Sequence, residues 1–412
     1  MKIAYICSDV EIPVFGHEGC SIHIREFTNA LAELGHEVFI LASWLGGTPP
    51  PDLRARVYPI EPAGLDAAAW AALEQEPVVA EHCLGRDLKS LFTNGWLPKL
   101  AVPLFEREKP DFIYERYALF GWSGAELAAR FSLPFILEVN APIAQEQDGY
   151  EQFTLVRTAD RVEQEVFRRA AAIVAVSAVV ADWLKTRGVP AERILVAPNA
   201  VSPARFERAA DAAGVRARLG LGGRRVIGFV GSFQPWHDVA GLIRAFACVR
   251  RAHADLRLLL IGCGPQRDEL AASVKTLGLA DAVTFAGAVS HAGIPDCLAA
   301  MDVAVAPYAR WGQPFYGSPM KVFEYMMSGR PIVAAALGQI ADVIEPERTG
   351  LLYAPGDHDG LVAALERMLA DPAAAAAMGA AARAQALREH TWQAVAGGMI
   401  NRASELIRSR NG

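Results

Sequence analysis

The stretch GSPMKVFEYMMSGRPIVA, Gly317 to Ala334, sets a glycine turn, a helix and a buried strand end to end. Tyr316-Gly317-Ser318-Pro319 is turn chemistry, and Pro319 suits the first helical turn, where its missing N–H is no loss and its fixed φ is already helical. Val322, Phe323, Tyr325 and Met326 then form an apolar face. Gly329 stands where a left-handed cap is wanted, and Pro331 forbids continuation. The residues after Pro331 read as a short strand buried on both faces. A helix that follows a glycine-containing loop directs free N–H groups and the positive end of its dipole forward, and phosphate is the usual occupant. Met320 opens this helix and Lys321 adds a charge. Glu324 lies one turn on, where a carboxylate accepts two hydrogen bonds from a vicinal diol such as a ribose. Loop, helix and strand are also the plain anatomy of any α/β unit, so both readings stand at this point.

The 412 residues, 52% of them hydrophobic, supply enough apolar side chains for about two domains and exclude a disordered chain. A net charge of -6 offers no basic face for nucleic acid. Residues 1–204 carry 18 Lys+Arg against 27 Asp+Glu, and the remainder 22 against 19, so a polyanionic ligand fits the second half better. Six cysteines are scattered without a C-x-x-C or histidine-paired spacing, the usage of free thiols in a reducing compartment. The opening MKIAYICSDV breaks at Asp9 and reads as a first strand rather than a signal peptide. No apolar run reaches the length of a membrane span. The expected location is the cytoplasm.

Lys2 to Ser8 is a buried-strand run ending in polar residues. A loop with Gly16 and Gly19, a helix from Ile22 to Leu34 and a strand from Glu37 to Ala42 complete a βαβ unit. The loop is neither the dinucleotide fingerprint nor a P-loop. Residues 46–108 show weak helical patterns with Trp70, Trp96 and Leu97, read either as a packed helical insertion or as an acceptor wall. Two further strands end in Glu115-Arg116 and in Glu138-Val-Asn140, beyond the carboxyl ends where α/β sheets place ligands. These four side chains are expected to converge, either on an acceptor or in an internal ion pair. A boundary is expected near residue 204, after Pro198-Asn199-Ala-Val201.

Beyond it, strands end on Gly231 and on Gly262-Cys-Gly264, and others follow at Val283 to Ala286 and Val303 to Ala306. Alternation at this spacing predicts a second doubly wound parallel sheet.

Four places resemble family-4 retaining glycosyltransferases: the first glycine loop, P-N-x-V at Pro198 to Val201, S-P-x-K-x-F-E-Y-M at Ser318 to Met326, and the P-G-D turn at Pro355 to Asp357. The resemblance implies a GT-B fold, an α/β architecture of two Rossmann-like domains facing across a cleft. The domains are 1–204 on the acceptor side and 205–390 on the donor side, with a last helix, 391–412, crossing back to the first. Gly16 and Gly19 then face the donor phosphates. Gly231, Ser232, Gly262, Gly264 and Tyr316 to Lys321 line the donor site, and Glu324 holds the ribose. Of the family's two glutamates eight positions apart, Glu324 matches the second, and the first stands where this chain has Tyr316, so the donor sugar does not carry over. Where members have an arginine and a lysine that clamp the diphosphate, this chain has Ser232 and His237, with Asp238 at a glycine position, a P-W-H variant. His237 is expected to be drawn toward its protonated form by the diphosphate. Asn140 stands near a histidine of many members.

The implied catalytic set is thus His237, Lys321, Asn140 and Glu324. Glu115, Arg116, Glu138 and Asn140 form the acceptor side. The implied reaction moves a sugar from a nucleotide-diphosphate sugar, UDP by default, to a small-molecule, saccharide or lipid-linked acceptor with retention. No metal or other cofactor is implied, and Asp357-His-Asp359 reads as a helix start rather than a ligand set. A monomer or homodimer with at most peripheral membrane contact is expected. Two rival readings share the architecture: a sugar-nucleotide 2-epimerase and a non-catalytic sugar-nucleotide-binding protein.

Overall fold

The computed structural model describes residues 1–61, 64–80, 83–145, 154–310, 312 and 314–411. They divide into two units, Met1–Pro198 with Trp392–Gly412, and Asn199–Thr391.

The first unit is built on β1 (Lys2–Cys7), α1 (Gly19–Glu33), β2 (Glu37–Ala42) and β3 (Arg56–Pro59). Helices α2 (Leu65–Leu73), α3 (Pro77–Ala80) and α4 (Leu84–Glu108) follow, then β4 (Phe112–Arg116), α5 (Ser123–Phe131) and β5 (Phe135–Val139). The unit continues through α6 (Val156–Arg169), β6 (Ala172–Ala175), α7 (Ala178–Thr186) and β7 (Ile194–Val196). All seven strands run parallel in the order β3-β2-β1-β4-β5-β6-β7. Strands β4, β5 and β6 are buried at every residue, which is why they read as continuous apolar runs.

The described part of residues 46–108, faint in the sequence, holds strand β3 and the helices α2 to α4. Helix α4 contains Pro98 and Pro103, which blur its sequence pattern, yet Trp96 and Leu97 are buried. Its Asn94 Oδ1 accepts from Ser123 Oγ at 2.7 Å and from the Trp122 N–H at 3.1 Å, fixing the start of α5. Glu108 at its end accepts from Arg56 at 2.8 Å and from the Tyr58 hydroxyl at 3.1 Å.

The second unit begins with α8 (Ala212–Arg218) and alternates β8 (Arg225–Val230), α9 (Val239–Arg250), β9 (Leu256–Ile261), α10 (Arg267–Thr276), β10 (Val283–Gly287), α11 (Ile294–Ala299) and β11 (Val303–Ala306). It closes with α12 (Met320–Ser328), β12 (Ile332–Ala335), α13 (Gln339–Val343), β13 (Leu351–Tyr353), α14 (His358–Ala370) and α15 (Pro372–Glu389). Its six strands are also parallel, ordered β10-β9-β8-β11-β12-β13. Helix α12 ends where Gly329 takes φ 69, the left-handed cap that its position in the sequence predicts.

The last helix, α16 (Trp392–Asn411), belongs to the first unit and lies against α1. Trp392 is fully buried, with the ring of His23 edge-on to it at 5.0 Å. Arg402 donates to the Glu192 carbonyl at 3.0 Å and Gln393 to Glu33 at 2.7 Å. Among the described residues no helix is long and apolar enough to cross a membrane.

Removing a buried tryptophan leaves a cavity that its neighbours fill only in part. Trp392→Ala is expected to cost about 3–5 kcal/mol, read as a lowered midpoint for the first unit in thermal or urea unfolding.

Candidate functional site

In each sheet the strand order reverses beside one strand, β1 in the first unit and β8 in the second, and ligands of open parallel sheets bind beyond the carboxyl ends at such a point. The residues just past β8 and β11, the strands flanking the second reversal, are Gly231 and Pro307-Tyr308. Helix α12 begins beside them.

The close approach of backbone at this edge requires glycine. Gly231 has φ 149 and Gly262 φ 130, and a side chain at Gly262 would collide with the Gly231 carbonyl. A Cβ on Gly231 would sit 2.6 Å from Lys321 Nζ. That ammonium is enclosed by aromatic rings, 4.6 Å from the centroid of Phe229 and 5.4 Å from that of Tyr308. It has no hydrogen-bond partner among the described residues. Burial pulls its pKa down to about 7, although the nearby Glu324 carboxylate favours the charged form. Pro319 is the N-cap residue of α12 with extended ψ, one step before the first helical turn that the sequence predicts, and it provides no side-chain cap. Helix N-terminus and ammonium thus share one edge.

His237, expected to be drawn toward its protonated form by a bound diphosphate, stands in an enclosure of rings. Its ring is buried between Tyr308, edge-on at 5.2 Å, and Phe229 at 5.8 Å. Burial, with the Lys321 charge second, holds its pKa down at about 3, so the ring is neutral. Nδ1 lies 2.6 Å from the Ser232 carbonyl oxygen and therefore carries the proton that it donates there. Asp238 takes φ 42 and accepts from the Gly241 N–H at 3.0 Å, capping α9. Aspartate tolerates the left-handed conformation, so it can stand at a glycine position.

Ser318 is drawn into structural work: its Oγ accepts from the Asn199 N–H at 2.8 Å, and Asn199 Nδ2 donates to the Ser318 carbonyl at 2.6 Å. Asn199 thus bonds the turn ahead of α12, a partner distant in sequence. Gly317 packs on the Phe315 ring, Tyr316 is half-buried beside it, and Gly264 lies against Phe233. Met320 opens α12. Glu324 is buried on the next turn, and its Oε1 accepts from His291 Nε2 at 2.8 Å. His291 escaped sequence reading because it is distant in the chain and belongs to no motif.

In the first unit, Gly16 is buried where a Cβ would meet Pro13 at 2.6 Å and Ser21 Oγ at 2.8 Å. Arg25 clasps this loop, donating to the Gly16 carbonyl at 2.8 Å. Gly19 is the exposed first residue of α1. The expected convergence of four residues is corrected. Successive side chains of a strand point to opposite faces, so Glu115 leaves Arg116 and accepts from the Gly124 N–H at 3.0 Å and from Ser8 Oγ at 3.3 Å. Burial pushes its pKa up to about 8. Arg116 and Glu138 stay together on the other face at 3.7 Å, with His23 Nε2 2.6 Å from Glu138. Burial alone would raise the Glu138 pKa, but His23 and Arg116 outweigh it and hold the carboxyl below its usual range. The Asn140 Nδ2, just past β5, is buried with no hydrogen-bond partner among the described residues.

Among the described residues no three His, Cys, Asp or Glu side chains are grouped to hold a metal ion. Asp357 caps α14 by accepting from the Gly360 N–H at 3.0 Å.

Residues 18–200 match the family described as glycosyl transferase 4-like domain, and residues 224–371 that described as glycosyl transferases group 1. The chain is 26% identical to glycogen synthase of Mycobacterium tuberculosis over 96% of its own length and 92% of that protein's. It is 34% identical to 2-deoxystreptamine glucosyltransferase of Streptomyces kanamyceticus over 52% of its length and 54% of that protein's. Its fold is shared by sucrose-phosphate synthase of Thermosynechococcus elongatus, with TM-score 0.73, 23% identity and 99% of each chain covered. It is also shared by Anabaena HepE, solved in complex with UDP-glucose, with TM-score 0.71, 19% identity and coverage of 99% and 100%.

The depressed Lys321 pKa fixes the sign of a pH effect. Below about pH 7 the lysine is charged in folded and unfolded chains alike, and the cost of burying the charge is carried in full. Between pH 7 and the unfolded value of 10.5 the unfolded chain binds more protons, so stability rises with pH. Lys321→Met is expected to exceed the wild type in stability at pH 7, by about 5 kcal/mol as a ceiling. Denaturant unfolding should show that gap closing toward pH 10.

Proposed function

With the chain a glycosyltransferase of the family-4 type, we propose that it is a retaining enzyme that takes its sugar from a nucleotide-diphosphate sugar held by the second unit. The observation that carries this reading is the Lys321 ammonium, enclosed and without a hydrogen-bond partner among the described residues, beside the N-terminus of α12 and the glycine edge of β8 and β9. A diphosphate completes that arrangement: its oxygens give the ammonium and the open N–H groups the acceptors they lack, and its charge raises the Lys321 pKa. Glu324 receives the ribose hydroxyls. Uridine is the proposed base, supported by the UDP complexes of proteins that share the fold.

The leaving group gathers negative charge as the glycosidic bond to the sugar breaks, and Lys321 with the α12 dipole stabilises it where water is scarce. The acceptor hydroxyl approaches from the same face as the leaving group, and the departing phosphate takes its proton, so no carboxylate pair of the hydrolase kind is required. Metal is not needed on this reading, because the ammonium and helix supply the positive charge. His237 acts as a neutral ring that walls Lys321 together with Tyr308 and Phe229. The acceptor, a small molecule, saccharide or lipid-linked sugar, belongs to the first unit. Arg116, Glu138 and Asn140 are its proposed contacts, with Glu115 placed away from them. The cytoplasm is the proposed location, with a monomer or homodimer acting there. The named relatives favour transfer over epimerisation or mere binding of the nucleotide.

Thermal shift with UDP, GDP, ADP and TDP should give the largest rise with one of them, UDP on this reading. Lys321→Met should abolish that rise, and the wild-type affinity should fall as pH climbs above 7, because binding takes up a proton on Lys321. Activity should survive EDTA, and NMR of the product should show the donor's anomeric configuration. His237→Ala, which removes one wall of the Lys321 enclosure and the hydrogen bond to the Ser232 carbonyl, is expected to raise the donor KM about three- to tenfold and to lower kcat.

A further inference from the structure

A carboxylate on the second turn of a helix can swing about its side-chain bonds, and a swinging carboxylate recognises a diol poorly. Glu324 is restrained. Its Oε1 receives the Nε2 proton of His291 at 2.8 Å, and the two side chains are only 10% and 15% exposed. In such partly enclosed surroundings a polar contact is stronger than in water.

The backbone that delivers His291 is itself fixed. It leaves β10 through a shift of register between Phe285 and Gly287, where Gly287 takes φ 75 and its carbonyl accepts the Gly262 N–H at 2.8 Å. A single turn of tight helix, His291–Gly293, follows, closed by the Gly293 N–H on the Ser290 carbonyl at 2.8 Å. It runs directly into α11, which packs on α12. The ring is thus anchored to the glycine edge on one side and to the helix bearing its partner on the other.

We propose that His291 is a positioning residue that holds the Glu324 carboxylate in the orientation that receives the ribose hydroxyls of the donor nucleotide. The inference rests on the ribose reading of Glu324 given above. With Oε1 oriented by the ring, the lone pairs left on the carboxylate face the diol in one fixed direction. The ring touches no reacting atom; it acts through the carboxylate.

Calorimetric binding of UDP and 2′-deoxy-UDP to the full chain tests this, with GDP, ADP and their 2′-deoxy forms run in parallel to find the preferred base. In the wild type, loss of the 2′-hydroxyl should weaken binding about tenfold or more, the size of one hydrogen bond to a charged group. His291→Ala should shrink that ratio to about threefold or less. His291→Gln, whose amide reaches the place of Nε2, should restore it, whereas His291→Asn, whose amide falls at the place of Nδ1, should not. Equal ratios for the glutamine and asparagine variants overturn the proposal, even if the alanine variant fails to fold. Glu324→Ala separates the two readings. If it erases the discrimination while His291→Ala retains it, His291 is a structural partner only; if Glu324→Ala also retains it, the ribose assignment is what fails.

Discussion

An ammonium group shut away from water, with aromatic rings beside it and no hydrogen-bond acceptor among the described residues, is the constraint that the second unit is arranged around. Such a group is costly to bury, and its pKa falls accordingly. It is tolerated because Gly231 presents no side chain against it and because the rings of Phe229 and Tyr308 offer their electron-rich faces. The same enclosure explains His237. Burial lowers the His237 pKa, and a ring packed beside a buried cation further resists a second positive charge.

The first unit treats its buried charges differently. Glu138 is flanked by His23 and Arg116, so its charge is compensated inside the fold. Trp392 lies edge-on against that same His23, which makes the last helix part of the support of the cluster. A buried carboxylate with partners on two sides is a rigid feature, and removing either partner would strand a charge. The Asn140 Nδ2, just past β5, has no hydrogen-bond partner among the described residues.

Much of the architecture was legible in the chain. Apolar runs bounded by glycine and polar residues located most of the strands, and the Gly329-Arg-Pro331 sequence located the end of α12. Residues 46–108 were not legible, since two prolines inside α4 interrupt the pattern that its packing restores. At the site, Gly231, Lys321 and Glu324 were readable from turn chemistry and the position of a helix start. His291 was not, because nothing local marks a histidine that meets a carboxylate 33 residues further along the chain.

Local chemistry therefore determined which segments are strands and helices, where glycine is needed and where helix α12 starts and stops, since each depends on a few consecutive residues. The tertiary structure alone decided that Glu115 faces away from Arg116, that Ser318 bonds Asn199, that His237 is walled by rings and that His291 bonds Glu324. Those outcomes depend on burial and on distances between residues far apart in the chain, and neither quantity is encoded in any short stretch of it.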